Sequence, residues 1–289
     1  NASQYGGFYQ NGALVGYAST TNGATIWGLG AGGQNATTSA TVRGTTAIGD
    51  GALNALTAAT GNTAVGYRAG YAMTADASFN SLLGYEAGYY ATTSSGNVAI
   101  GYRALKGSTA SNWTNPNTAI GYTALTANTT GAYNTAIGQN ALAANTTGSA
   151  SVAIGTFALQ NSTTGSNSAV GYNALATCTT CGSNAAFGNS ALATLSNGQD
   201  NTAFGNSSQQ LGTTAGSNAS FGYASLLTNK TGTNNTALGN DSMRYLNNAT
   251  SSVAIGSGAL AGVSGDLATN YNNVAIGYRA GYIMGTGAN

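Results

Sequence analysis

Asn117–Leu125 reads NTAIGYTAL, and the same phrase returns throughout the chain. Its central glycine marks fourteen copies: Gly49, Gly66, Gly84, Gly101, Gly121, Gly138, Gly155, Gly171, Gly188, Gly205, Gly222, Gly239, Gly256 and Gly277. Most successive markers stand 17 residues apart, with two wider gaps, Gly101 to Gly121 and Gly256 to Gly277. A chain that returns to the same chemistry at this period builds one supersecondary unit many times and stacks the copies, because one unit cannot bury its own apolar face.

With Asn117 as position zero, position three is apolar in every copy, from Ile48 to Ile276, and position seven is always Ala or Ser. Strand periodicity places positions one, three, five and seven on one face, and two, four and eight on the other. A helix is the poorer alternative, because a glycine in each copy beside β-branched residues penalises it repeatedly. Between phrases lie turn strings such as NTTG at Asn128–Gly131 and STTG at Ser162–Gly165, whose Asn and Gly accept positive φ. The expected fold is all-β: a β-roll or β-solenoid of about 14 coils, each a strand, a turn, a short second extended segment and a turn. At roughly 4.8 Å per coil such a stack forms a rod on the order of 65 Å long.

Composition narrows function. Of 289 residues only 13 carry charge, there is no histidine, and glycine supplies 44 positions against one proline, Pro116. Collagen needs glycine at every third position with abundant proline, and disorder does not keep aliphatic residues in register. Without clustered Lys and Arg no nucleic-acid partner is expected, and no apolar run of about 20 residues suggests membrane insertion. Catalysis lacks a base: the six carboxylates are spread singly, and the one option is a glycan-cleaving pair brought together across coils or chains. No enzyme, metal or cofactor is expected. Thr, Asn, Gly and Ser richness with few charges reads as an exported, exposed surface, and the opening asparagine as that of a processed product or fragment.

Stacking turns each position into a ladder. Position zero is asparagine in eleven copies, and stacked amides hydrogen-bond along the axis. Position six carries Arg68, Glu86 and Arg103 in consecutive copies, which one-coil spacing puts side by side as plus, minus and plus; the alternative is three unrelated surface charges. The position-five tyrosines, Tyr102 and Tyr122 among them, form either a glycan-binding stripe or a cover for the core or a chain interface. The two wide gaps are candidate binding loops, one holding Trp113 and Asn115 and the other Tyr271; the alternative is a bulge folded back on the coil. Cys178 and Cys181, in a turn where other copies read STTG, suggest a local disulfide, with an interchain link as the alternative. Residues 1–44 depart from the period and read as a cap or attachment segment, with ALVGYAS as a degenerate copy, before the array at 45–289.

The phrases NTAIGYTAL, NTAIGQNAL, SVAIGTFAL and NVAIGYRAL resemble the head repeats of trimeric autotransporter adhesins. They resemble more closely the repeats of phage tail fibres and related trimeric adhesive fibres of bacteria. The resemblance spans about residues 45 to 281 and is specific through its repetition. It implies a homotrimeric, left-handed β-roll displayed on a cell surface or virion, used for attachment to a glycan or protein receptor. The chain departs from the autotransporter pattern in its period near 17, where those heads repeat at a slightly shorter length. A C-terminal chaperone of the kind such fibres carry is expected to have been removed or to lie beyond this segment. Two other classes fit the repeat: a subunit of an extracellular filament or sheath joined end to end, and a monomeric ice-binding-like solenoid. Intermittent threonine at position one weighs against the last.

Overall fold

The structure, a computed structural model, describes residues 5–10, 13–19, 22–33, 42–75, 77–108, 116–263 and 271–282. It divides into two compact units, residues 1–149 and 150–289. Among the described residues all regular structure is β, and the chain winds as a β-solenoid with about 13 turns of roughly 17 residues.

In the first unit β1 (Tyr5–Gln10) pairs antiparallel with β2 (Ala13–Ser19), which pairs antiparallel with β3 (Thr25–Trp27). From β3 onward the pairing is parallel through β4 (Thr46–Ile48), β5 (Thr63–Val65), β6 (Ser81–Leu83), β7 (Val98–Ile100), β8 (Thr118–Ile120) and β9 (Thr135–Ile137). In the second unit β10 (Val152–Ile154), β11 (Ser168–Val170), β12 (Ala185–Phe187), β13 (Thr202–Phe204), β14 (Ala219–Phe221), β15 (Thr236–Leu238), β16 (Val253–Ile255) and β17 (Val274–Ile276) are likewise parallel. Register is strict: position one faces position one of the next coil, as Thr118 faces Thr135 and Ile120 faces Ile137. The parallel stack opens at Thr25–Trp27, inside the stretch expected to be a cap, because ATIWG at Ala24–Gly28 is one more copy of the phrase. ALVGYAS is not a coil; it is the antiparallel strand β2.

Each strand of the parallel stack, from β3 onward, is three residues long, and its middle residue, position two, points inward. Ala119 and Ala136 are fully buried while Thr118, Ile120, Thr135 and Ile137 stand at the outer face. The glycine at position four then turns the chain. Gly121 has φ +136°, and a β-carbon there would lie 2.5 Å from the Gly138 carbonyl oxygen of the next coil, so no side chain fits.

Beyond that glycine the simple alternation fails. Positions six and eight take left-handed conformations, with φ 52° at Thr123 and 51° at Leu125. Alternation grouped position seven with positions one and three, which stand at the outer face, yet Ala124 and Ala141 are buried, and Leu125 and Leu142 at position eight are buried beside them. The second segment is therefore a tight turn and not a strand. It still hydrogen-bonds along the stack, Leu125 N donating to Ala141 O at 2.9 Å. Each position-eight leucine removed from water contributes about 1.5–3 kcal/mol, and the row of them with the position-two alanines makes the core.

The position-zero asparagines line the interior as a ladder. Asn117 N donates to Asn97 Oδ1 at 2.8 Å and Asn134 N to Asn117 Oδ1 at 2.9 Å, and these two side chains reach a carbonyl on the far side of their own coil, Asn117 Nδ2 to Gly131 O at 3.0 Å and Asn134 Nδ2 to Gly148 O at 2.8 Å. The second unit repeats this through Asn167, Asn184, Asn201, Asn218 and Asn235, ending on Ser252 N at 3.1 Å. A buried amide is tolerated only when so satisfied.

A candidate binding face of stacked tyrosines and arginines

The turn after the position-four glycine throws positions five, six and nine outward, and strict register brings equal residues of successive coils together. In the first unit Tyr67, Tyr85, Tyr102 and Tyr122 stack with ring centroids 5.0, 5.2 and 5.0 Å apart and interplanar angles of 20°, 15° and 10°. That separation is close to the spacing of parallel strands, about 4.8 Å, so the rings meet face to face without moving the backbone. A second stack at position nine joins Tyr71 to Tyr89 at 5.0 Å, and Tyr90 meets Tyr89 edge-on at 4.5 Å. Tyr122, the last rung, is 54% exposed, whereas Tyr102 is half-buried between its neighbours.

Cations cover the edges of these stacks. The Arg68 guanidinium lies 5.0 Å from the Tyr67 ring and 5.2 Å from Tyr71. Arg103 lies 5.0 Å from Tyr102 and 6.0 Å from Tyr85, and Lys106 Nζ is 5.7 Å from Tyr89. The position-six ladder resolves unevenly. Arg103 Nε donates to Glu86 Oε2 at 2.8 Å, and Lys106 supplies a second cation at 2.9 Å, while Arg68 turns to the rings. Burial of the Glu86 carboxylate opposes its charge, but hydrogen bonds from Lys106 and Arg103 outweigh that and hold it below the usual glutamate range. The same bond raises the Arg103 guanidinium further above its ordinary value.

Lys106, Tyr71 and Tyr89 did not emerge from reading position by position. The signal for the two tyrosines was the extended phrase GYRAGY at Gly66–Tyr71 with its variant GYEAGY at Gly84–Tyr89, in which the fourth residue after the first tyrosine is a second one; Lys106 fills the same place in GYRALK at Gly101–Lys106.

The remaining candidates lie apart from this face. Trp113 and Asn115 fall outside the described residues. Tyr271, in the second unit, is 58% exposed and its backbone bridges Thr250. Cys178 and Cys181 are joined by a disulfide and fully buried. They occupy the two turn positions where Asn128 and Gly131 close the equivalent turn by a hydrogen bond, Asn128 Nδ2 to Gly131 O at 2.9 Å. In the second unit the tyrosine row is interrupted: Tyr172, Tyr223 and Tyr278 are separated by Asn189, Asn206, Asn240 and Ser257. Among the described residues no three His, Cys, Asp or Glu side chains gather as metal ligands, and no helix is long and apolar enough to cross a membrane.

The first-unit face thus offers a flat ladder of rings edged by cations. Such a surface holds planar or ring-shaped groups by stacking and anionic groups by charge. Comparison of the chain with protein-family models, curated proteins and solved structures finds no match.

Proposed function

We propose that this chain is a non-enzymatic segment of an extracellular adhesive fibre, built from three copies of itself and attaching to a glycan or protein on a cell surface. One observation carries the multi-chain part of this reading. The outer rows of the parallel sheet are apolar and uncovered: Ile48, Leu83 and Ile100 are 38, 49 and 36% exposed, and in the second unit Phe204 reaches 54%. Parallel sheets are almost always covered on both faces, and a contiguous apolar surface of this kind marks an interface. Packing of copies about that row would bury it. The stacked tyrosines supply the adhesive surface, and the Cys178–Cys181 disulfide fits an oxidising, extracytoplasmic setting.

Light scattering coupled to size exclusion tests the assembly. A mass about three times 28.3 kDa is expected for the wild type, and Phe204→Lys is expected to lower it while strand content by circular dichroism stays the same. A wild-type monomer at every concentration would overturn the trimer. Glycan binding to immobilised arrays, reduced in a Tyr102→Ala, Tyr122→Ala double variant, tests the adhesive surface; an unchanged pattern would remove the tyrosine ladder from it.

A further inference from the structure

The phrase GYRAGY occurs twice, at Gly66–Tyr71 and at Gly277–Tyr282, and each time it follows a coil whose position six is glycine, Gly51 or Gly258. The missing side chain is where the following coil leans. A β-carbon on Gly51 would meet Arg68 Cγ at 3.2 Å and Tyr71 Cδ2 at 3.3 Å; one on Gly258 would meet Arg279 Cγ at 3.2 Å and Tyr282 Cδ2 at 3.5 Å. The same local packing fixes both arginines between two rings, and Arg279 lies 5.4 Å from the Tyr278 centroid and 4.8 Å from that of Tyr282.

In the second unit this clamp faces a gap. The coil before it carries only small residues at positions five, six and nine, the exposed Ser257 and the buried Gly258 and Ala261, and the coil before that carries Asn240, Asp241 and Arg244. A rung of small side chains between two rungs of large ones leaves a cleft of about 250 Å³. Its walls are two coil spacings apart, roughly 9.6 Å between backbones. That leaves room for one ring and not two, consistent with a volume below that of drug-sized pockets.

Charge selects among rings. Asp241 is already engaged, accepting from Arg244 Nη1 at 2.9 Å and from Asn240 Nδ2 at 2.9 Å. Arg279 makes no ion pair among the described residues, so the cleft keeps one unmatched guanidinium flanked by tyrosine faces. We propose that this cleft binds a single pyranose ring bearing a carboxylate, the acid paired with Arg279 and the ring packed on Tyr278 or Tyr282. The proposal rests on the adhesive reading above and names the ligand class for one site of it.

The test uses the full chain and ligand-observed NMR titration with methyl β-glucuronide, the neutral methyl β-glucoside, and benzoate. The glucuronide is expected to bind at least tenfold more tightly than either. Arg279→Gln is expected to lower glucuronide affinity at least tenfold without changing that of the glucoside. Ser257→Tyr restores the missing rung with the residue that stands at position five in seven coils, so folding is retained, and it is expected to abolish glucuronide binding. Glucuronide binding that survives Ser257→Tyr, no glucuronide binding by the wild type, or benzoate binding as tightly, would each overturn the cleft. None of these outcomes bears on the native mass or on the Tyr102 and Tyr122 variants, so failure of the cleft and failure of the adhesive reading are separable.

Discussion

Leu82 stands in the space that Gly88 leaves: a β-carbon on Gly88 would lie 2.8 Å from Leu82 Cδ2. Most coils pair alanine at position two with leucine at position eight, as Ala119 with Leu125. This coil exchanges the two, with Leu82 inside and glycine at position eight, so the interior volume is kept. Leu82→Ala is expected to destabilise the first unit by about 2–5 kcal/mol. Gly88→Leu alone is expected to destabilise through overpacking. The double variant restores the common arrangement and is expected to recover more than half of the loss, since contacting residues are not additive. Thermal melts of all four proteins check this, and additive losses would count against it.

Asn201 is bonded to both neighbouring rungs of the ladder. Its Oδ1 accepts from Asn218 N, Asn218 Nδ2 and Gln209 Nε2, and its Nδ2 donates to Asn184 Oδ1 and Ala215 O. Asn201→Leu leaves several buried groups unsatisfied and is expected to cost more than about 3 kcal/mol. Asn201→Ser should cost less, because serine already fills position zero at Ser252, where its Oγ accepts from Asn273 N at 3.2 Å. Urea unfolding midpoints are expected to fall in the order wild type, Ser, Leu.

The Glu86 carboxyl is held below its ordinary value near 4.5. A group whose folded pKa is lowered contributes stability above its unfolded pKa and loses it as pH falls through the folded one. The wild type is therefore expected to lose stability below about pH 4.5 more steeply than Glu86→Gln, which has no charge there to lose. Melting temperatures of the two proteins measured from pH 6 down to pH 3 should converge; parallel curves would show that the pair with Arg103 and Lys106 adds nothing.

The Cys178–Cys181 disulfide replaces a hydrogen bond used elsewhere. Asn229 and Gly232 close their turn reciprocally, at 3.1 Å from Nδ2 to the glycine carbonyl and 3.0 Å from the glycine N–H to Oδ1. A closed loop of four residues is worth about 2 kcal/mol by chain entropy, and the restored hydrogen bond returns about 1 kcal/mol. The Cys178→Asn, Cys181→Gly variant is thus expected to fold and to lose only about 1 kcal/mol, read as a small shift in the urea midpoint. It should be insensitive to reductant, unlike the wild type.

The parallel coil, its period and its asparagine ladder were legible in the chain, because repetition at one spacing leaves stacking as the means of burial and because Asn recurs where only a satisfied amide is tolerated. The charged ladder was legible only in part. Register alone puts Arg68, Glu86 and Arg103 in line, but Lys106 reaches Glu86 from position nine, through side-chain length that a position-by-position reading ignores. The cleft beside Arg279 was not legible, since it arises from three small residues in one coil lying between large ones in its neighbours.

What the sequence determined by itself is that positions two and three must face opposite ways, since strand geometry allows nothing else. Which of them lies inside was decided by tertiary structure. Hydrophobicity would bury Ile120 and expose Ala119, and the molecule does the opposite. A coil of 17 residues encloses too little width for large side chains from the strand together with Leu125 from the turn, so alanine goes in and the isoleucines, leucines and phenylalanines of position three are left on the outer face. Position seven follows the same logic: left-handed turns after Gly121 rotate Ala124 inward, a backbone event that period-two alternation does not contain.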